Sequence, residues 1–256
     1  ASFEQCFRVL GKHAICIVCP RSLNLAPYVS LYAPYALDVR IEQFDDTHFT
    51  SVDSYNRLLL SPRFYARFLD VKHILLYQLD AWVFKDELEK WCSAGYDYIG
   101  APWFTDRGEI LPFAGNGGFC LRNAQACHDL LTRHHTGPWK YSFFLAAIPA
   151  RTKIRGYAKQ ALHCLEMAAC KASTPTYFAH YRGLEDMAFV KAMSDIAAYS
   201  VAPPQIAMHF SFERFPEVLF QRTKGELPFG AHALARYAPQ FWASWVPVLR
   251  EGPSYA

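Results

Sequence analysis

HILLYQLDAWVFKDELEKWCSAGYDYIGAPWFTDRGEILPFAGNGGFCLR, residues 73–122, is the stretch around which the rest of the chain can be arranged. It opens on an apolar run, 73–77, short and β-prone enough to read as a buried strand. The run ends in Gln78-Leu79-Asp80, so a carboxylate stands where a buried strand should emerge. In open α/β sheets, ligands bind outside the carboxyl ends of the strands. A second apolar piece, 96–99, leads into Gly100-Ala101-Pro102-Trp103, and a third, 119–121, follows the turn Gly115-Asn116-Gly117-Gly118. Three strand ends carrying an acid, an aromatic turn and a glycine cluster read as the floor of an active site.

Working outward, residues 2–10 have helical spacing, with Phe3, Cys6, Phe7 and Leu10 on one face and Ser2 as N-cap. Residues 14–19 read as a strand stopped by Pro20, and 39–44 as a second strand. Residues 54–60 and 62–69 read as two short helices that turn Tyr55, Leu58, Leu59, Phe64, Tyr65 and Phe68 inward. A helix is expected over 85–92 with Leu88 and Trp91 buried, and another from Asn123, its cap, to about residue 134. Residues 183–194 read as a helix, 205–210 as a last strand holding a packed His209, and 225–237 as a turn followed by a short helix. In the interval 137–181, residues 139–147 are aromatic and apolar, Arg151, Lys153 and Arg155 form a basic knot, and 157–171 has helical periodicity. An acceptor-binding insertion, a lid against an anionic membrane surface and a hairpin that merely packs all stay open for it. The alternation of strands and helices predicts an α/β fold with a mostly parallel sheet and helices on both faces.

Composition sets the outer limits. With 52% hydrophobic and 19% charged residues over 256 positions, the chain has ample material for a core, and one α/β domain spanning 1–256 is the expectation. A formal charge of +3 is too small to imply nucleic acid. Eight cysteines show no disulfide framework, and Cys16 and Cys19 form a CxxC inside a strand, which points them to opposite faces. Reduced thiols are expected. No apolar run reaches the length of a membrane span, and the opening residues read as a helix, not as a signal peptide.

The strings YQLDAWVF (77–84), WC (91–92), YDYIGAPWF (96–104), GNGGFCLR (115–122), LEDMAF (184–189) and PFGAH (228–232) together resemble a family of bacterial glycosyltransferase-like domains of surface-polysaccharide biosynthesis, related to the GT-A nucleotide-sugar transferases. The resemblance runs from about residue 2 to 245 and is weakest over 137–181. It implies a GT-A-like (Rossmann-like) fold whose first strand would precede Ala1. It also implies transfer of a sugar, with inversion, from a nucleotide-sugar donor (a UDP-sugar first) to a hydroxyl of an O-antigen- or capsule-type glycan, such as a lipid-linked acceptor. The location it implies is cytoplasmic, at the inner face of the membrane. Gln78-Leu79-Asp80 stands where such enzymes carry an Asp-x-Asp metal motif, with Gln78 in place of the first acid and Asp80 as the metal ligand. His232 matches the histidine that completes the metal or diphosphate site, and an imidazole favours Mn²⁺ over Mg²⁺. Glu185-Asp186 matches the acidic motif that supplies the general base, with Asp186 preferred.

The residues read on their own are compatible with those roles without compelling them. Positions 78 and 80 share a face of an extended strand; the lesser reading of Asp80 is an acid that caps the next turn. A histidine in a Pro/Gly turn is more often a surface residue, and carboxylates opening a helix are favoured by its dipole. Gly115-Asn116-Gly117-Gly118 lacks the Lys-Ser/Thr of a phosphate loop. Its glycines, Gly117 and Gly118 among them, would let backbone approach a sugar while Asn116 hydrogen-bonds hydroxyls, or the four residues form a tight hairpin. Trp103 stacks on a sugar or closes the core; Arg122 steadies a carboxylate or phosphate or forms a surface ion pair. Two other function classes remain: a metal-dependent hydrolase of phosphate esters or sugars, marked by donor hydrolysis without acceptor stimulation, and a non-catalytic glycan-binding module, marked by metal-independent binding without turnover.

Overall fold

The computed structural model describes residues 1–133 and 173–250. The patterns at 139–147, Arg151, Lys153 and Arg155, and 157–171 lie outside the described residues. Helix α1 (Ser2–Leu10) buries Phe7 and Leu10, as its spacing predicts. Gln5 is buried as well, because its amide donates to the carbonyl of Val83 at 2.6 Å. Ser2 is not the cap. Ser2 is the first helical residue and Ala1 takes the cap position, and the Ser2 hydroxyl donates instead to the carbonyl of Ala81 at 2.7 Å.

Strand β1 (Ile15–Pro20) pairs in parallel with β2 (Val39–Phe44), and α2 (Ala26–Tyr32) lies between them in sequence. Helix α3 (Val52–Leu59) is closed by a capping box between Ser51 and Ser54, and α4 (Pro62–Tyr65) starts on a proline behind the Ser61 cap. These two helices and the turn after them bury Leu58, Leu59, Phe64, Tyr65 and Phe68.

Strand β3 (His73–Tyr77) runs antiparallel to β8 (Phe119–Asn123), whose other edge takes the short β5 (Tyr98–Ile99), also antiparallel. A second three-stranded unit orders β4 (Trp82–Val83), β10 (Gly230–Ala231) and β9 (Ser211–Phe212), antiparallel on the first contact and parallel on the second. Strands β6 (Pro102–Phe104) and β7 (Ile110–Ala114) form an antiparallel pair. The α/β class therefore holds, but several small sheets of mixed direction stand where one mostly parallel sheet was expected. The reason is local: between β3 and β8 the chain passes through β4, α5 (Leu88–Cys92), β5 and the β6–β7 pair and returns in the reverse direction, where a single crossover helix would have kept it parallel.

Four further expectations are corrected. Helix α5 starts at Leu88, not at 85, because the Asp86 carboxylate accepts from the Leu88 amide at 3.2 Å and holds the preceding residues in a turn. Residues 205–210 are not a strand but most of helix α9 (Pro204–Phe210). Proline at its first turn is pre-set for a helix, Ala207 and Phe210 face inward, and His209 is exposed. Beyond 225–231 no short helix forms at the expected place, because Ala233 is left-handed (φ 54), a conformation L-residues do not carry into helices. Residues 115–118 are not a hairpin turn either, since β7 and β8 belong to different sheets.

Helix α6 (Ala124–Thr132) starts on the Asn123 cap as expected. With α3, α4, α7 (Thr174–His180) and α8 (Glu185–Asp195) it covers one face of β8, where Tyr65, Tyr98, Phe178 and Phe189 form an aromatic core. Helices α1, α5 and α9 cover the other face. A third cluster, centred on Trp242, joins α10 (Pro216–Arg222) and α11 (Pro239–Trp242) to the β4–β10–β9 unit. The six cysteines among the described residues are free, and burial pushes the Cys16 thiol up to about 11. No helix of the described residues is long and apolar enough to cross a membrane.

Candidate active site

One large cavity, about 1490 Å³, opens where four segments converge. They are the end of β3 with Gln78 and Asp80, the glycine turn with Gly117 and Gly118, the start of α8 with Glu185 and Asp186, and the residues after β9 and β10 with Glu213, Arg214, His232 and Arg236. Backbone hydrogen bonds tie the segments together. The Gln78 amide donates to the Gly118 carbonyl at 2.8 Å, the Ala233 amide to the Asp80 carbonyl at 3.1 Å, and the His232 amide to the Phe212 carbonyl at 3.0 Å. The left-handed backbone of Ala233, next to the site histidine, is the kind of strain that persists where surrounding structure over-determines it.

His232 is the hub. Its Nε2 lies 3.1 Å from Asp80 Oδ1 and 3.2 Å from Gln78 Oε1, and its Nδ1 lies 3.0 Å from Glu213 Oε1 and 2.9 Å from Asn116 Nδ2. Burial alone would lower its pKa, but the hydrogen bonds with Asp80 and Glu213 outweigh burial and raise it to about 9. The ring is therefore an imidazolium at neutral pH, its Nδ1 proton given to Glu213. In the neutral ring Nδ1 can accept from Asn116 instead. The same contact holds Asp80 below the ordinary carboxylate range. The imidazole lies flat against Gly118, where an added Cβ would collide with the ring. Gly118→Ala is expected to cost roughly 1–3 kcal/mol by overpacking and to push His232 off Asp80. A lowered urea midpoint measures the first effect, and a His232 imidazole pKa that falls from about 9 measures the second.

The carboxylates of α8 divide their labour. Glu185 is buried, and its Oε1 accepts from Arg122 Nη2 at 2.8 Å. Arg122 is itself fully buried, donating further to the hydroxyls of Tyr65 at 2.8 Å and Tyr98 at 3.0 Å. Asp186 lines the cavity, and among the described residues no cation pairs it directly. Burial first, and the neighbouring Glu185 charge second, raise its pKa to about 8. The two adjacent acids thus sit in environments that separate their roles, one ion-paired and structural, the other holding its proton until the pH nears 8.

Of the residues singled out in the sequence, Gln78, Asp80, Trp103, Gly117, Gly118, Glu185, Asp186 and His232 all line this cavity. Asn116 and Arg122 do not. Asn116 is 2% exposed, and its amide oxygen accepts from the Phe119 amide at 3.1 Å, so it supports His232 from behind rather than meeting a sugar. Arg122 is neither a surface ion pair nor a ligand contact; the carboxylate it steadies is that of Glu185. Trp103 is half-buried, packs on Phe113 with ring centroids 6.5 Å apart, and still reaches the cavity wall. Glu213, Arg214 and Arg236 also line the cavity and carry no sequence signal. Each lies in an irregular segment with no periodicity to flag it, and only the contact of Glu213 with His232 Nδ1 identifies its part.

Among the described residues no three His, Cys, Asp or Glu side chains form a metal cage. The donors that do converge are His232 Nε2, Asp80 Oδ1 and the amide oxygen of Gln78, with Glu213 orienting the far nitrogen of the imidazole. One carboxylate, one imidazole and one amide oxygen suit a divalent cation that accepts mixed N/O ligands, and the carboxylate–histidine pairing is the usual support for a metal-bound ring. The residues therefore fit the implied cation once it displaces the Nε2 proton of His232.

No curated protein matches this chain. A family model described as "protein of unknown function (DUF5672)" matches residues 38–232. That match takes in the polar end of the cavity from Gln78 through Asp186 to His232. The chain belongs to the DUF5672 family.

Proposed function

We propose that the protein is a glycosyltransferase of GT-A-like type, moving a sugar from a nucleotide-sugar donor to a hydroxyl of a bacterial surface glycan. The observation that carries this reading is the presence, in the lining of one cavity, of a carboxyl raised to about 8 at Asp186 and of three cationic side chains, His232, Arg236 and Arg214, the last paired with Asp106 at 3.5 Å. Transfer needs both. The acceptor hydroxyl gives its proton to Asp186 as its oxygen bonds to the anomeric carbon. The bond from that carbon to the diphosphate oxygen breaks with inversion, and the nucleoside diphosphate leaves with the electron pair. The His232 imidazolium and the two arginines face the developing charge. A divalent cation, Mn²⁺ preferred, would be held by Asp80, Gln78 and the neutral ring of His232 in place of its Nε2 proton, and would then take over that ring's share in neutralising the leaving group. Arg122 and Glu185 hold the start of α8 so that Asp186 keeps its aim. A UDP-sugar donor and a lipid-linked acceptor at the inner face of the cytoplasmic membrane complete the proposal.

The test is a thermal-shift screen of nucleotides and nucleotide sugars with and without Mn²⁺, on the wild type and Asp80→Ala. Ligands that bind the native state raise its melting temperature, by ~2.7 kcal/mol of added stability at a hundred times Kd. A Mn²⁺-dependent shift for one nucleotide class, lost in Asp80→Ala, is the expected result. A shift indifferent to Mn²⁺ leaves charge neutralisation to His232 and the arginines. The absence of any nucleotide shift overturns the transferase reading.

A further inference from the structure

Helix α8 carries Asp186 in its first turn, and the start of that helix has no cap of its own. Leu184 stands at the cap position, half-exposed, and makes no side-chain hydrogen bond there. Leucine is among the poorest residues for that place, because it offers nothing to the amides that begin a helix unpaired. Two other acceptors meet those amides. Asp186 Oδ1 accepts from the Met187 amide at 2.6 Å, and Asn56 Oδ1 accepts from the Glu185 amide at 3.2 Å. The cap of α8 therefore comes from α3, 129 positions away.

Asn56 is firmly held. The capping box of Ser51 and Ser54 closes the start of α3, and the buried Leu58 and Leu59 root the helix in the core. The preceding residue, Tyr55, lies with its hydroxyl against the side chain of Gln78. Two consecutive residues of α3 thus touch the helix that carries Asp186 and the wall that carries Asp80 and His232. Gly117 brings bare backbone against the same two acids, where an added Cβ would lie 2.6 Å from Glu185 Oε1 and 3.9 Å from the Asp186 Cβ.

The residue type matters as well as the place. Aspartate caps a helix as well as asparagine does, but here it would set another carboxylate beside Glu185 and Asp186. The groups that already act on Asp186 are Glu185 from its own helix, Arg122 from β8, Glu213 after β9, and the hydroxyls of Tyr98 in β5 and Tyr181 after α7. Asn56 adds an acceptor for the helix and no charge.

We propose that Asn56 is a positioning residue of this site: its neutral amide caps α8 from α3, fixes the first turn of that helix, and leaves the second oxygen of Asp186 for the acceptor hydroxyl. That Asp186 is the base rests on the glycosyltransferase reading; that Asn56 fixes its place does not.

The test needs neither nucleotide nor acceptor. It follows the ionisation of Asp186 by the carboxyl resonance of ¹³C-aspartate-labelled protein, assigned by its loss in Asp186→Asn, together with hydrogen exchange of the Glu185 amide. Wild type, Asn56→Asp and Asn56→Ala are compared. In the wild type the carboxyl titrates near 8. Asn56→Asp keeps the cap and adds a charge, so the Glu185 amide stays protected and the titration moves up by about one pH unit or more. Asn56→Ala loses the cap. Its Glu185 amide exchanges at least about tenfold faster, and Asp186, loosened from its burial, titrates about one unit or more lower. Wild-type titration in both variants overturns the proposal, and so does a Glu185 amide that stays protected in Asn56→Ala. If Asn56→Ala does not fold, Asn56→Asp decides alone, and an unmoved titration or an unprotected Glu185 amide overturns the proposal. A failed nucleotide screen removes the transferase reading and leaves this test standing, whereas unmoved titrations remove the role of Asn56 and leave the screen standing.

Discussion

Asp186→Asn is expected to lower turnover by a factor of about 10²–10⁴, the usual worth of a positioned general base, and at the same time to raise the melting temperature above neutral pH. Both effects come from one cause. Burial and the Glu185 charge raise the Asp186 pKa from 3.8 to about 8, so the folded protein holds that proton more tightly than the unfolded chain does. Stability then falls as pH rises from about 4 to about 8, and Asn, which cannot ionise, has no such loss. The two proteins should melt together near pH 4 and separate progressively, with the variant a few degrees higher by pH 8.5. His232, also raised, loses its contribution as pH climbs through about 9, but it does so in both proteins and cancels in the comparison. Wild-type turnover should rise with pH and level off above about 8, as the base loses its proton. A variant that melts like wild type at every pH would remove the raised carboxyl, and one that keeps its turnover would remove the base.

Arg122→Ala is expected to be the most destabilising single change near the site. The guanidinium is wholly enclosed and holds Glu185, Tyr65 and Tyr98 through direct hydrogen bonds, with the faces of Tyr98 and Phe189 4.9 and 5.3 Å from its central carbon. Removing one partner of a buried ion pair leaves the other charge uncompensated, at a cost of about 3–5 kcal/mol. For a chain of this size that corresponds to a fall of roughly 6–20 °C in melting temperature. Glu185 Oε2 has no hydrogen-bond partner among the described residues, so the pair has no reserve contact to take up the loss. The control is Arg122→Met with Glu185→Gln, which removes both charges and should recover much of the stability. If the double variant is no more stable than Arg122→Ala, the cost lies in packing and not in the unpaired carboxylate.

Much of the site was legible because its chemistry sits at element ends that the sequence marks. The run 73–77 announces a strand, and Asp80 must emerge from it. Glu185 and Asp186 open a helix whose apolar face is plain, and Gly118 and His232 belong to short punctuated segments. Elements failed where a local signal was outvoted. Residues 205–210 look β-prone, but Pro204 pre-sets the first turn and two inward faces 3 residues apart complete a helix. Asn116 and Arg122 have polar side chains suited to a ligand, yet both are sealed inside, and a sequence does not say on which side of a wall a side chain lies.

By itself the sequence determined the strands at 15–20, 39–44, 73–77 and 119–123, most of the helices and the residue types brought to the cavity, since apolar period, caps and prolines act over a few positions. Tertiary structure alone decided the strand directions, the pairing of Arg122 with Glu185 across 63 positions and of His232 with Asp80 and Glu213. It also decided which of two adjacent acids keeps its proton. Those outcomes depend on distance and burial between segments far apart in the chain, and electrostatic effects of that kind have no local pattern to carry them.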